Sequence, residues 1–205
     1  MWDRIRYTVW APVYDALAGA AGFDEARRRS IGRLQLRAGD RVLIAGAGTG
    51  LDLDHLPADV SVTAVDVTPA MLKRLEQRAR ALGRTADVRV MDARRLAFPD
   101  GAFDAVILHL ILAVMPEPDR GLREAARVVK PGGRIAVFDK FLRDDEQASL
   151  QRRLINLIAR PLFTDVTRRL GPLIAGTTLV VEHDEPVAFR GAYRIVTLRR
   201  PPAGV

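Results

Sequence analysis

A doubly wound α/β fold with a mostly parallel sheet and a C-terminal antiparallel hairpin follows from three observations in this 205-residue chain. Short apolar runs rich in β-branched residues alternate with helix-length amphipathic segments from about residue 40 onward, the pattern of buried parallel strands joined by crossover helices. The first run, Val42-Leu43-Ile44-Ala45, breaks into Gly46-Ala47-Gly48-Thr49-Gly50, with glycines at alternate positions. Asp66 then closes a second apolar run, sixteen residues beyond Gly50. A glycine turn after a buried strand lets a ligand approach the backbone, and an acid at the next strand's end can hold a ribose diol. The pattern predicts a nucleoside cofactor.

The strands expected of the sheet are Arg41 to Ala45, Val60 to Val65, Val88 to Met91, Ala105 to Leu110 and Arg134 to Phe138. Between them, Pro69 to Leu82 reads as a helix: Thr68 can cap it, Pro69 suits its first position, and Leu72, Leu75, Ala79 and Leu82 recur on one face before Gly83. A second helix runs from about Asp119 to Val129 and ends at Pro131-Gly132-Gly133. Asp52, Asp54 and His55 open the helix after the glycine loop, where the dipole favours acids over a metal cluster. Near the C-terminus, Leu179 to Val181, Val187 to Phe189 and Tyr193 to Leu198 are strand-like. Arg190-Gly191-Ala192 leaves no room for a crossover helix, so the final runs pair as a hairpin. His183, Asp184 and Glu185 read as a polar loop between two of these runs.

Composition narrows the classes. The chain is long enough for one core and shows no linker, so one domain with an N-terminal extension is expected. It has no cysteine, which excludes disulfides, thiolate metal sites and cysteine nucleophiles and fits a reducing cytoplasm. No apolar stretch approaches the roughly 20 residues that cross a bilayer, and Asp3, Arg4 and Arg6 interrupt any signal-peptide core. Lys plus Arg number 32 against 25 Asp plus Glu, a net charge of +7 that suits either a solvated basic surface or an anionic partner. No Ser lies in a Gly-x-Ser-x-Gly context, so no hydrolytic triad is expected.

The glycine spacing discriminates between cofactors. A dinucleotide fingerprint places its third glycine where this chain has Leu51, which disfavours NAD. Gly-x-Gly-x-Gly is associated instead with S-adenosylmethionine (SAM), which has no pyrophosphate to cradle.

Further blocks join the glycine loop and Asp66: Val90-Met91-Asp92-Ala93, Phe98-Pro99-Asp100-Gly101-Ala102-Phe103-Asp104-Ala105-Val106, and Glu124 through Lys130-Pro131-Gly132-Gly133. With Trp10-Ala11-Pro12-Val13-Tyr14-Asp15 at the N-terminus, the whole chain resembles the class I SAM-dependent methyltransferases. It is most similar to the group of ubiquinone and menaquinone methyltransferases and bacterial phosphatidylethanolamine N-methyltransferases. The resemblance implies a Rossmann-like seven-stranded sheet, a helical lid over 1–37, and a SAM-binding domain over 38–205 with a helical insertion at about 143–172. It implies that Gly46, Gly48, Thr49 and Gly50 lie against the methionine part of SAM, and that Asp66, with Val67 beside it, takes the ribose hydroxyls. Asp92 and the Ala93 N–H are implied to take the adenine, and Met71 either packs near the adenine face or is an ordinary core residue. His109 is implied to sit where sulfonium meets acceptor. Relatives carry an acid two residues before the first glycine; here that residue is Ile44.

Methyl transfer asks for positioning and water exclusion more than side-chain chemistry. A base matters where the acceptor must lose a proton, and His109 is the candidate by position, against the alternative of a satisfied structural histidine. Tyr7, Trp10 and Tyr14 form either an aromatic lid over the sulfonium or a helix face packed on the core, and Tyr14 is the second catalytic candidate beside His109. Residues 144 to 170 are helix-prone, with Leu150, Leu154, Leu157 and Ile158 beside Arg152, Arg153 and Arg160. That segment either lies on anionic lipid at the inner membrane face or covers the core. The activity expected is SAM-dependent methyl transfer to a small hydrophobic or lipid-like acceptor, of quinone or phospholipid-amine type. A nucleic-acid-binding or RNA-modifying protein on the same fold is one alternative, disfavoured by the apolar His109-Leu110-Ile111-Leu112; a SAM-binding protein without activity is another, disfavoured by the intact glycines, Asp66 and Asp92.

Overall fold

The computed structural model describes residues 23–141, 168–188 and 191–204. Tyr7, Trp10, Tyr14 and Asp15, and the arginine-bearing stripe of residues 144–167, lie outside the described residues. In chain order the elements are α1 (Phe23–Gly32), β1 (Arg41–Ala45), a 3-10 turn (Leu51–His55), β2 (Ser61–Asp66), α2 (Pro69–Ala81) and β3 (Ala86–Val90). They continue with β4 (Phe103–His109), α3 (Pro118–Val128), β5 (Val129–Lys140), α4 (Leu170–Ile174), β6 (Val180–Ala188) and β7 (Tyr193–Arg199). Among the described residues, the seven strands form one sheet in the order β3-β2-β1-β4-β5-β7-β6. β1 to β5 run parallel, and β7 is antiparallel to both β5 and β6.

The central strands are apolar on both faces because both faces are covered. On one side Ile31 of α1, Leu53 of the 3-10 turn and Leu72 and Leu75 of α2 close over Val42, Ile44, Val62 and Ile107. On the other, Leu122 and Ala125 of α3 and Leu170 and Leu173 of α4 close over Leu43, Val106, Leu108, Ile135 and Val137. A fully buried side chain such as Leu75 contributes about 1.5–3 kcal/mol through the surface it removes from water. Phe23 and Ala26 extend the first layer across Phe138 and Ile195. β1 leaves the core between β2 and β4, where strand order reverses, so the switch point lies at the glycine loop.

The structure corrects several boundaries. Thr68 makes no side-chain cap to α2; its backbone N–H instead donates to Asp66 Oδ1 at 2.8 Å. Leu82 falls beyond that helix and is exposed. Asp52, Asp54 and His55 stand in a five-residue 3-10 turn rather than a full helix. Pro131-Gly132-Gly133 belongs to a bulged start of β5, where the register with β4 shifts between Phe103 and Ala105. His183, Asp184 and Glu185 lie within one continuous edge strand, not a loop. An edge strand with a wetted face tolerates polar residues, and its register shifts accommodate Pro186. Glu185 there accepts from Arg29 at 2.5 Å and Arg33 at 2.9 Å, tying α1 to the sheet edge.

The last carbonyls of α3 and the first of β5 are capped from the C-terminal strand. Arg200 Nη1 donates to the carbonyls of Ala126, Arg127 and Val129 at 3.0, 2.9 and 2.7 Å. Arg200→Ala removes these charge-assisted bonds and is expected to cost about 2 kcal/mol, lowering Tm by roughly 4–8 °C in a thermal melt.

Candidate cofactor and acceptor site

The site is built where β1 turns outward. The N–H groups of Gly46 and Ala47 both donate to the Val65 carbonyl, at 2.8 and 2.9 Å, so the end of β2 holds the start of the loop. Gly46 and Gly48 have φ of 76° and 52°, a backbone region that side chains disfavour. Their surroundings differ. A Cβ on Gly46 would lie 2.6 Å from Ile111 Cγ1, whereas a Cβ on Gly48 would meet nothing within 4 Å. Gly46 is thus packed against the chain beyond β4, and Gly48 borders open space. Ile44, where an acid was expected by resemblance, is 1% exposed within the layer formed by Leu53 and Leu75. A carboxylate there would be buried among aliphatic side chains.

Asp66, at the end of β2, faces this turn. Its Oδ2 accepts the Gly48 N–H at 3.0 Å and its Oδ1 the Thr68 N–H, which fixes the carboxylate toward the loop. Burial pushes its pKa above the usual carboxylate range, and the backbone donors offset this only in part. Val67 beside it is exposed, while Met71 is buried in the first turn of α2.

β3 delivers the next pair. Met91 N donates to Asp66 O at 3.0 Å, keeping the two strand ends together, and Ala93 is buried two residues on. Asp92 accepts from Arg94 twice over: from its backbone N–H at 2.9 Å and from its guanidinium at 2.7 to 3.1 Å. The hydrogen bonds and charge of Arg94 hold its carboxyl below the usual range, burial notwithstanding. Arg94 also reaches Glu117 at 3.0 Å, linking this strand end to the loop after β4.

The side chain of His109 ends β4 with no exposed surface. Its Nδ1 donates to Asp52 Oδ1 at 2.7 Å and its Nε2 meets the Ser30 hydroxyl at 2.9 Å. Arg27 donates to the same Asp52 oxygen at 2.6 Å. Desolvation opposes ionisation of Asp52, but the charges and hydrogen bonds of His109 and Arg27 outweigh it and hold the carboxyl far below its ordinary range. A base must reach the proton it removes, and neither ring nitrogen of His109 borders solvent. The other two polar residues of the turn go elsewhere: Asp54 pairs with Arg78 at 2.7 Å and His55 with Asp24 at 2.9 Å. Asp52, Asp54 and His55 thus point to three different partners.

At the end of β5, burial raises the pKa of Asp139, which accepts the Ala113 and Lys140 N–H groups at 2.9 and 2.8 Å. Burial lowers that of Lys140, whose Nζ lies 5.4 Å from the centre of the Tyr193 ring. Tyr193 is pushed up to about 12 by burial and the Asp139 charge. Phe23, Phe138 and Tyr193 pack edge to face or tilted beside them, at 4.7 to 5.9 Å. Arg27, Ser30, Arg94 and Ile111 were not singled out by the sequence. The partners of Arg27 and Ser30 lie 25 and 79 positions away, where no local spacing marks them, whereas Arg94 stands two residues from the Asp92 it braces.

Residues 43–137 match the model of a methyltransferase domain. The chain is 39% identical over 196 residues to the phosphatidylethanolamine N-methyltransferase of Cereibacter sphaeroides, covering 95% of each. It is 33% identical over 172 residues to the demethylmenaquinone methyltransferase of Thermus thermophilus, covering 81% of this chain and 75% of that one. Among solved structures, the [4+2]-cyclase SpnF superposes with a TM-score of 0.81 at 21% identity, covering 98% of this chain and 96% of that one. A geranyl diphosphate methyltransferase in complex with SAM gives 0.72 at 18% identity, covering 86% and 85%.

Removing one member of a buried ion pair strands the other. Asp52→Ala is expected to cost about 3–5 kcal/mol in urea unfolding. Asp54→Ala removes a partly exposed pair and is expected to cost under about 1 kcal/mol. Asp52 has a folded-state pKa below its unfolded one, so its contribution is full above the ordinary carboxylate range and is lost as pH falls below it. The cost of Asp52→Ala should shrink accordingly in acid.

Proposed function

The chain belongs to the methyltransferase domain family and is a SAM-dependent methyltransferase, and from that premise we propose that it methylates the amine of an aminophospholipid. The observation that carries the acceptor is the similarity to a phosphatidylethanolamine N-methyltransferase along 95% of both chains. The net charge of +7 supports it, since such lipids lie in surfaces that also carry anionic headgroups. A quinone acceptor is the second reading, favoured by the demethylmenaquinone relative.

The residues at the strand ends suit SAM. The space beside Gly48 admits a ligand against the backbone, and the Asp66 carboxylate keeps lone pairs beyond those taken by its two backbone donors. When bound, SAM supplies a methyl group on a sulfonium, a donor that is already activated. In the proposed arrangement the backbone from Gly46 through Gly48 and Thr49 walls the methionine part, while Gly50 closes the turn against the core, where a Cβ would lie 2.8 Å from Leu75 Cγ. Asp66 accepts both ribose hydroxyls, with Val67 and Met71 toward the adenine. Asp92, braced by Arg94, accepts the exocyclic amine, with the Ala93 N–H beside it.

In the proposed arrangement the acceptor lies at the ends of β4 and β5. An ammonium headgroup must lose its proton, to solvent before the amine enters the site, and a neighbouring cation favours the neutral form that then attacks the methyl carbon as its bond to sulfur breaks. Lys140 supplies such a cation at the end of β5, beside the Tyr193 ring. The aromatic group of Phe23, Phe138 and Tyr193 contributes an apolar wall that excludes water.

Two measurements test this. Asp66→Ala should weaken SAM binding by about 1.5–3 kcal/mol, or roughly 10- to 150-fold, in calorimetry. The ionised carboxylate is the form that accepts the ribose hydroxyls. Wild-type affinity should therefore hold at neutral pH and fall as pH drops through the raised pKa of Asp66, and Asp66→Asn should abolish that dependence. For the acceptor, radiolabelled SAM is supplied with phosphatidylethanolamine vesicles, a demethylated quinone or total RNA. Label in the phospholipid is expected; label in the quinone or RNA alone would replace this acceptor.

A further inference from the structure

We infer that His109 is a positioning residue for SAM: through Asp52 it fixes the chain beyond β4 so that Ile111 walls the glycine loop at Gly46. The inference rests on the reading of Gly46 to Gly50 as the SAM loop.

The distances alone invite another reading. Ser30 Oγ to His109 Nε2 at 2.9 Å and His109 Nδ1 to Asp52 Oδ1 at 2.7 Å have the spacing of a hydrolytic triad. Burial removes it. Ser30 has no exposed surface, and neither has the His109 side chain, so no substrate carbonyl can reach the hydroxyl. What the network does is join three elements. The Asp52 carboxylate belongs to the turn that follows the glycine loop, Arg27 and Ser30 belong to α1, and His109 is the last residue of β4. The imidazole keeps both partners in either protonation state, since a hydroxyl can donate or accept.

The consequence lies one and two residues further on. Leu110 has φ of 57°, a left-handed conformation rare for a leucine, which persists only where its surroundings fix it. Its N–H donates to Phe138 O at 2.7 Å on one side, and the anchored His109 precedes it on the other. This reversal sets Ile111 against Gly46, where a Cβ would come within 2.6 to 3.0 Å of three Ile111 atoms. A turn from Ile111 O to Met115 N at 2.8 Å holds it there. The loop's first glycine therefore has a wall that belongs to the chain after β4, and the position of that wall is set by His109.

The test uses His109→Phe, which keeps the ring against Phe138 but loses both hydrogen bonds, and His109→Asn, which keeps an N–H near Nδ1 for Asp52. Ile111→Ala probes the wall without touching the buried charges. For each, SAM affinity is measured by calorimetry, the fold by thermal melting, and kcat, KM for SAM and the pH profile by label transfer. His109→Phe is expected to lower SAM affinity by about tenfold or more and raise KM, with kcat at saturating SAM and both limbs of the pH profile kept. His109→Asn should restore most of the affinity. The losses in Ile111→Ala and His109→Phe should be non-additive when combined, because both act on one wall. Unchanged affinity with a lowered Tm in His109→Phe, or strictly additive losses, would overturn the inference. So would a lost pH limb, or a fall of about 100-fold in kcat, as a catalytic base gives. Failure of the wild-type protein to bind SAM would instead overturn the reading of the loop.

Discussion

The Val65 carbonyl receives the N–H groups of both Gly46 and Ala47, and the glycine-loop end of the sheet depends on this double contact. It turns the chain out of β1 directly over the end of β2. Gly48 is thereby brought to Asp66 Oδ2, and the same strand end takes Met91 N from β3. Three strand ends are thus fixed to one another by backbone bonds before any side chain is considered. The carboxylates at 66 and 92 follow as consequences of register, since Asp66 is paired with Val90 and Asp92 lies two residues beyond.

The charges divide between two kinds of work. On the surface, many arginines pair with nearby acids, as Arg28 does with Glu25 and Arg89 with Asp87, and such exposed pairs contribute little. The Arg27-Asp52-His109-Ser30 group is different because it is dry. Desolvating these groups is costly, and the cost is met only while every partner is present, so the network favours one arrangement of α1, the loop and β4 over slightly displaced ones. That is a specification of geometry, which suits a reaction controlled by the alignment of donor and acceptor.

Much of the fold could be read from the sequence because it rests on local patterns. The run Arg41 to Ala45 was bounded to the residue, and α2 to within one, since Pro69 and Gly83 mark its ends independently of tertiary context. β6 was misread because its polar middle, His183 to Glu185, faces water and α1 at an edge, where alternation does not report burial. The glycine loop, Asp66 and Asp92 were legible as a motif, and the structure brings those strand ends together. The partners of Asp52 were not, because Arg27 and His109 are 25 and 57 positions away and nothing in the spacing selects them. A residue that read as an acid favoured by the dipole at a helix start is the centre of a buried network.

The fold by itself does not assign the chemistry, since a cyclase shares it with a TM-score of 0.81. In the proposed arrangement SAM lies across the C-terminal ends of β1, β2 and β3. Hydrogen exchange of the protein with and without SAM reads that placement directly. Added protection is expected in peptides covering Gly46 to Gly50, Val65 to Thr68 and Met91 to Ala93, with none around the opposite groove lined by Arg41, Thr63 and Phe98. Protection confined to that groove, or no change at the glycine loop under saturating SAM, would contradict it.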